Sequence, residues 1–190
     1  MPKCISDWLV CAEQQLRLIS ESPRLDAEVL LAHSLGQSRS HLRAWPEKPV
    51  PPAANEQFQT LLTQRCQGTP VAYLTGEREF WSRSFKVNHS VLIPRPDTEL
   101  IVELALERLA KRQNCKVIDL GTGSGVIAIT LAAERPTDCV IASDISQAAL
   151  AIAAENAEHL KISNLQFRQS NWFAQIDEHD FDMVISNPPY

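Results

Sequence analysis

The chain has 190 residues, of which 44% are hydrophobic and 22% charged, with a formal charge of −5. This is an ordinary soluble globular composition, long enough for one large domain or two small ones. No apolar run approaches the roughly 18 residues of a membrane span. The opening "MPKCISDWLV" lacks the basic head and apolar stretch of a signal peptide, so a cytoplasmic location is expected. Residues 1–72 hold seven basic and seven acidic residues, which leaves the whole negative excess to the remainder. A nucleic-acid enzyme usually concentrates positive charge around its site. Cys4, Cys11, Cys66, Cys115 and Cys139 are odd in number, scattered and without a C-x-x-C pair, and the five histidines lack ligand spacing. Neither a disulfide framework nor a metal is expected.

The first 72 residues read as a small helical bundle. Leu9, Ala12, Leu16 and Ile19 recur at helical spacing after a Ser6 cap, and Leu25, Val29 and Ala32 do so after Pro23, with Gly36 as a stop. After the proline-rich "PEKPVPPAA", the residues Phe58, Leu61, Leu62 and Arg65 resume the pattern until Gly68 to Pro70 ends it. Between residues 73 and 93 the period changes, and "EFWSRSFKVN" predicts a two-stranded hairpin connecting two domains. From residue 94 onwards "PRPDTELIVELALERLAKR" restores helical spacing at Ile101, Leu104, Ala105 and Leu109, started by Pro96, Asp97 and Glu99.

The order then becomes "KVIDL", a helix over 126–134, "CVIAS", a helix over 147–159, "LQFRQ" and "DMVIS". Strands alternating with helices predict an α/β doubly wound domain over residues 94–190, with ligands bound beyond the carboxyl ends of its strands.

At the first of those ends stands "DLGTGSG", Asp119 to Gly125. Glycines there let the backbone turn sharply and approach a ligand, ahead of the unpaired N–H groups of a helix N-terminus. The spacing is G-x-G-x-G and not the dinucleotide G-x-G-x-x-G, whose sixth position is Val126 here. Asp144 closes the next strand, 23 positions beyond the first glycine, where a carboxylate accepts from ribose hydroxyls. Either feature alone also fits a structural role, as a turn or as a helix cap. Together, in register with the strands, they imply a nucleoside ligand. The chain ends on "NPPY", Asn187 to Tyr190, which places a carboxamide, two residues without N–H groups and an aromatic ring after the fourth strand.

With "IPRPDTE", "DLGTGSG" and "NPPY" in this order and spacing, the sequence resembles the PrmC/HemK family of protein-(glutamine-N5) methyltransferases. These are class I S-adenosylmethionine-dependent methyltransferases with a Rossmann-like catalytic domain. The resemblance runs through nearly all of the chain. It implies S-adenosyl-L-methionine as cofactor, held by Gly121, Thr122, Gly123, Ser124 and Gly125, with Asp144 on the ribose, Trp172 beside the adenine and Asn187 near the methyl group. The position before Trp172 is commonly acidic in the family and is Asn171 here, so a neutral acceptor replaces a charged one. The substrate implied is the glutamine of the GGQ loop in class-1 peptide chain release factors, bound by Asn187, Pro188, Pro189 and Tyr190. Asn187, Pro188 and Tyr190 would be the catalytic group, two acceptors orienting the amide N–H groups and a ring packing on the amide plane. A monomer that contacts no nucleic acid and no membrane is expected. Family members usually have seven strands and this chain reaches the fourth, so a C-terminally truncated domain is expected. Alternatives are methylation of a ribosomal-protein glutamine, amino-methylation of DNA or RNA, and binding without turnover.

Overall fold

The computed structural model describes residues 3–188, which form two compact units divided between residues 75 and 76. The first is helical: α1 (Ile5–Leu16), α2 (Pro23–Leu35), α3 (Arg39–Ala44), α4 (Pro52–Cys66) and α5 (Val71–Thr75). Ile5, Leu9, Ala12 and Leu16 of α1 meet Leu30 and Leu31 of α2, Leu42 of α3 and Phe58 and Leu62 of α4 in one buried core. Removal of this apolar surface from water is the main force holding the unit together.

Three sequence readings differ here. The N-cap of α1 is Cys4 and not Ser6; the Cys4 N–H donates to the Asp7 carboxylate at 3.1 Å, so an acidic side chain in the first turn does the capping. Ile19 falls beyond the helix and is 40% exposed. The α2 stripe is rotated: Leu25 is exposed, while Ala27, Leu30, Leu31 and Ala32 are buried. Asp26 and Glu28, which periodicity assigns to solvent, are buried with them. Asp26 is held by Arg65 of α4 at 2.8 Å, and Glu28 by Arg24, Arg39 and Arg43. Paired carboxylates can occupy a core face that isolated ones cannot. Helices α3 and α5 escaped the periodicity reading because six and five residues are too short to establish it.

The second unit begins with the antiparallel hairpin β1 (Glu77–Phe80) and β2 (Arg83–Lys86), turned by Trp81 and Ser82, both in the left-handed region. Phe80 and Phe85 are buried, ring centroids 6.1 Å apart edge to face. They pack in the second unit's own core against residues of α6 (Glu99–Leu109) and α7 (Val126–Glu134). A single turn, Pro96–Thr98, leads into α6. Then follow β3 (Lys116–Leu120), α7, β4 (Cys139–Asp144), α8 (Gln147–His159), β5 (Leu165–Gln169) and β6 (Met183–Ser186).

Among the described residues the larger sheet is parallel, in the order β5-β4-β3-β6. The winding proceeds outward from β3 to β5 and then returns to the other side of β3. One face buries Val117, Val140, Ala142 and Ile185 under the helices and the hairpin. The other buries Ile118, Leu120 and Ile141 under Ile176 and Phe181, from the irregular crossover between β5 and β6. The reversal between β3 and β6 is the topological switch point where such sheets open a crevice. Among the described residues no helix is long and apolar enough to cross a membrane.

Candidate active site

The switch point brings together three segments far apart in sequence. Register pairs Leu120 with Ser186, and the Ser186 hydroxyl donates to the Leu120 carbonyl at 2.8 Å, so the glycine loop and Asn187 emerge side by side. A cavity of about 370 Å³ lies between them. Gly121, Thr122, Gly123 and Ser124 line one wall, Asn187 and Pro188 another, and the stretch from Leu92 to Thr98 a third. Its size is within the range of small-molecule sites.

The loop's conformation explains its composition. Gly121, Gly123 and Gly125 all have positive φ. A Cβ on Gly121 or Gly123 would meet no protein atom within 4 Å, whereas one on Gly125 would lie 2.7 Å from Ile129 Cδ1 and 3.1 Å from Ala153 Cβ. Gly123 therefore keeps space open for a ligand, and Gly125 lets α7 pack closely on α8.

The loop's own N–H groups are turned inward and paired. The N–H groups of Gly121 and Thr122 donate to the Ser143 carbonyl, that of Gly123 to Asp144 Oδ2 and that of Gly125 to the Thr122 carbonyl, all at 2.9 Å. Tight turns satisfy their own donors, which spacing alone does not reveal. At the N-terminal end of α7 the Ala128 N–H is paired with Asp119. Asp119, fully buried beneath it, accepts the Thr122 hydroxyl at 2.6 Å, so that hydroxyl is turned from the cavity. Burial pushes the Asp119 carboxyl up to about 6, with the charge of Asp144 adding to the rise and the Thr122 hydroxyl and the Ala128 N–H of α7 opposing it. Asp119 Oδ1 has no hydrogen-bond partner among the described residues.

Asp144 stands at the carboxyl end of β4. Its Oδ2 accepts from Gly123 and its Oδ1 from the Ser146 N–H at 2.9 Å. It is not the cap of α8, which is Ser146, accepting from the Ala149 N–H. Each Asp144 oxygen retains acceptor capacity beyond these bonds. Trp172 does not line the cavity; it occupies the turn after β5 with φ of 53° and is 57% exposed. The Ser170 N–H, two residues earlier, donates to the Asp144 carbonyl at 3.0 Å, so this turn begins beside Asp144. Across the sheet's carboxyl edge the order is Asn187, the glycine loop, Asp144, Trp172. Asn171 is exposed in the same turn, its N–H bonded to Gln175. Pro189 and Tyr190 lie outside the described residues.

Sequence reasoning overlooked Arg95, Asp97 and Thr98 as site residues, although "IPRPDTE" was visible. The structure places all three at the cavity, and Thr98 Oγ1 accepts from Asn187 Nδ2 at 3.0 Å. Polar residues around and just after two prolines, immediately ahead of a helix, were the available signal.

Comparison with known proteins agrees with this architecture. Residues 7–76 match the PrmC N-terminal domain family, and residues 98–190 match the methyltransferase small domain family. The chain is 48% identical over 187 residues to the release factor glutamine methyltransferase of Shewanella oneidensis, covering 98% of this chain and 65% of that protein. It is 50% identical over 183 residues to the protein of the same name from Salmonella typhimurium, covering 96% and 65%. Against that of Vibrio cholerae it is 47% identical over 192 residues, covering 100% and 67%. The chain thus spans about two-thirds of the length of these relatives.

Proposed function

Since the chain belongs to the release factor glutamine methyltransferase family, we propose that it methylates the side-chain amide nitrogen of the glutamine in the GGQ motif of class-1 peptide chain release factors, with S-adenosyl-L-methionine as donor. The observation that carries this reading is the meeting of Asn187 and the glycine loop in one cavity at the β3–β6 switch point.

The site's electrostatics fit that cofactor. A helix N-terminus behind a glycine loop ordinarily invites a phosphate, but here the buried carboxyl of Asp119 lies beneath it and accepts from the Thr122 hydroxyl and the Ala128 N–H. Asp144 adds a second carboxylate within reach of the loop. Two acidic groups disfavour a phosphate-bearing nucleotide and favour a nucleoside whose amino-acid arm is positively charged. Gly121 and Gly123 leave room for that arm, Asp144 accepts from the ribose hydroxyls, and the turn at Trp172 lies on the side where the base would extend. The bound cofactor supplies an electrophilic methyl group on a sulfonium.

A primary amide nitrogen is a poor nucleophile, because its lone pair is delocalised into the carbonyl. The site's task is therefore to orient it. Asn187 Oδ1 and the Pro188 carbonyl each accept one amide N–H, which aims the lone pair at the methyl carbon. Preorganised acceptors and proximity would lower the barrier to transfer of the methyl group that bound S-adenosyl-L-methionine would supply, and the surplus amide proton would pass to water. No strong base is required. The negative excess beyond residue 72 favours a protein substrate over a nucleic acid in the same amide-recognising site.

Mass spectrometry of a release factor and of a ribosomal protein, each incubated with the protein and S-adenosylmethionine, tests the assignment. Methylation of the GGQ glutamine is expected, and Asn187→Ala should reduce turnover by about 10² to 10³ fold while leaving cofactor affinity nearly unchanged. Transfer to the ribosomal protein or to nucleic acid instead, or a fully active Asn187→Ala variant, would overturn the reading.

A further inference from the structure

We infer that Thr98 is a positioning residue that anchors the Asn187 carboxamide against rotation, with its oxygen presented to the substrate; the inference rests on the function proposed above. A carboxamide has two ends of nearly equal size and opposite hydrogen-bonding character, and only the oxygen can accept from a substrate amide. Rotated by half a turn, Asn187 would set its own NH2 against that of the substrate. In this structure the carboxamide is anchored across 89 positions: Asn187 Nδ2 donates to Thr98 Oγ1 at 3.0 Å, and in that orientation Oδ1 is the end left to accept.

Thr98 is built to hold that contact. The residue is 6% exposed, so its hydroxyl is largely sheltered from water. Its N–H donates to the Arg95 carbonyl at 3.1 Å, closing the turn Pro96–Thr98. The ring of Pro96 restricts that turn, and a β-branched side chain has a restricted χ1. The opposite partner is fixed as well, since Ser186 is bonded to the Leu120 carbonyl immediately before Asn187. Two rigid segments thus meet through one hydrogen bond. Its loss would let the carboxamide distribute between both orientations without disturbing Asp144 or the glycine loop.

The test compares Thr98→Val, which preserves shape and removes the hydroxyl, with Thr98→Ser, which retains it. In the 15N-labelled protein, the Asn187 side-chain NH2 resonances, identified by their loss in Asn187→Ala, should move and exchange faster with solvent in Thr98→Val. In Thr98→Ser they should remain close to wild type. With S-adenosylmethionine and a GGQ peptide, kcat should fall about tenfold in Thr98→Val, the fall expected for loss of one such bond. KM for the cofactor should hold, Thr98→Ser should recover most of the activity, and Thr98→Val should add nothing to Asn187→Ala. Unchanged Asn187 resonances in folded Thr98→Val, or a further loss on top of Asn187→Ala, would overturn the inference. Full turnover by Asn187→Ala would instead remove the amide-clamp reading, with the resonances still deciding the Thr98 contact.

Discussion

Asn156 binds Lys86 on both sides of one residue: its Oδ1 accepts the Lys86 N–H at 2.7 Å, and its Nδ2 donates to the Lys86 carbonyl at 3.1 Å. The side chain of α8 acts toward β2 as a neighbouring strand would. The same Nδ2 donates to the Ser124 carbonyl at 2.9 Å, so one fully buried amide ties the hairpin to the glycine loop.

Replacing Asn156 with Ala would therefore strand an N–H and two carbonyls at once. Each unsatisfied buried group costs about 1–3 kcal/mol, with some relief from water at the hairpin edge. Asn156→Ala should lower unfolding free energy by roughly 2–4 kcal/mol in urea titration and also weaken S-adenosylmethionine binding, through the slackened loop. A loss below about 0.5 kcal/mol would show that solvent replaces these bonds freely.

The loop glycines should separate by role. Gly125→Ala combines a left-handed backbone with a Cβ 2.7 Å from Ile129 Cδ1, so a cost of roughly 2–4 kcal/mol is expected. Gly123→Ala meets open space and should cost only about 1–2 kcal/mol from its backbone, while obstructing the cofactor. Thermal melts and calorimetric titration of both variants check this; equal stability losses would contradict the packing assigned to Gly125.

Asp119 makes stability depend on pH in an unusual direction. Its carboxyl is raised to about 6 in the folded protein, chiefly by burial, against an ordinary value of 3.8. Between these values the unfolded chain has released a proton that the folded protein keeps. The group therefore supports folding at the acid end of the window, and that support is lost as pH rises through about 6, on the order of 2–3 kcal/mol. Asp119→Asn does not titrate. Its melting temperature relative to wild type should rise by roughly 5–10 °C between pH 4 and pH 7. A difference that stays constant with pH would mean that the Asp119 carboxyl is not raised.

Asp144 holds the glycine loop, and in the function proposed above it also accepts from the ribose; two substitutions distinguish these roles. Asp144→Ala removes the acceptor for Gly123 and Ser146 as well as for the ribose, and cofactor binding should weaken by roughly 1.5–3 kcal/mol for each charge-assisted bond lost. Asp144→Asn retains one oxygen and should bind the cofactor with intermediate affinity. Calorimetry that finds wild-type affinity in a folded Asp144→Ala variant would take Asp144 out of the site.

Local chemistry made much of this protein readable in one dimension. The periods of the strands and of α7 and α8, the stop at Gly36 and the motif around Gly121 to Gly125 depend on neighbours a few residues apart, and such patterns are written in the chain. The three signatures "IPRPDTE", "DLGTGSG" and "NPPY" sufficed to indicate the family. Long-range pairing decided the rest. The buried face of α2 turned because Arg65, 39 positions away, neutralises Asp26, and three other arginines neutralise Glu28. The N–H groups of Gly121, Thr122 and Gly123 went to Ser143 and Asp144 of the adjacent strand, and Asp119 took the Ala128 N–H at the start of α7. Asn187 Nδ2 found its partner in Thr98, 89 positions away. None of these follows from periodicity, because each is a hydrogen bond or ion pair whose partner is fixed only when the sheet winds back at β3 and brings distant segments to one edge.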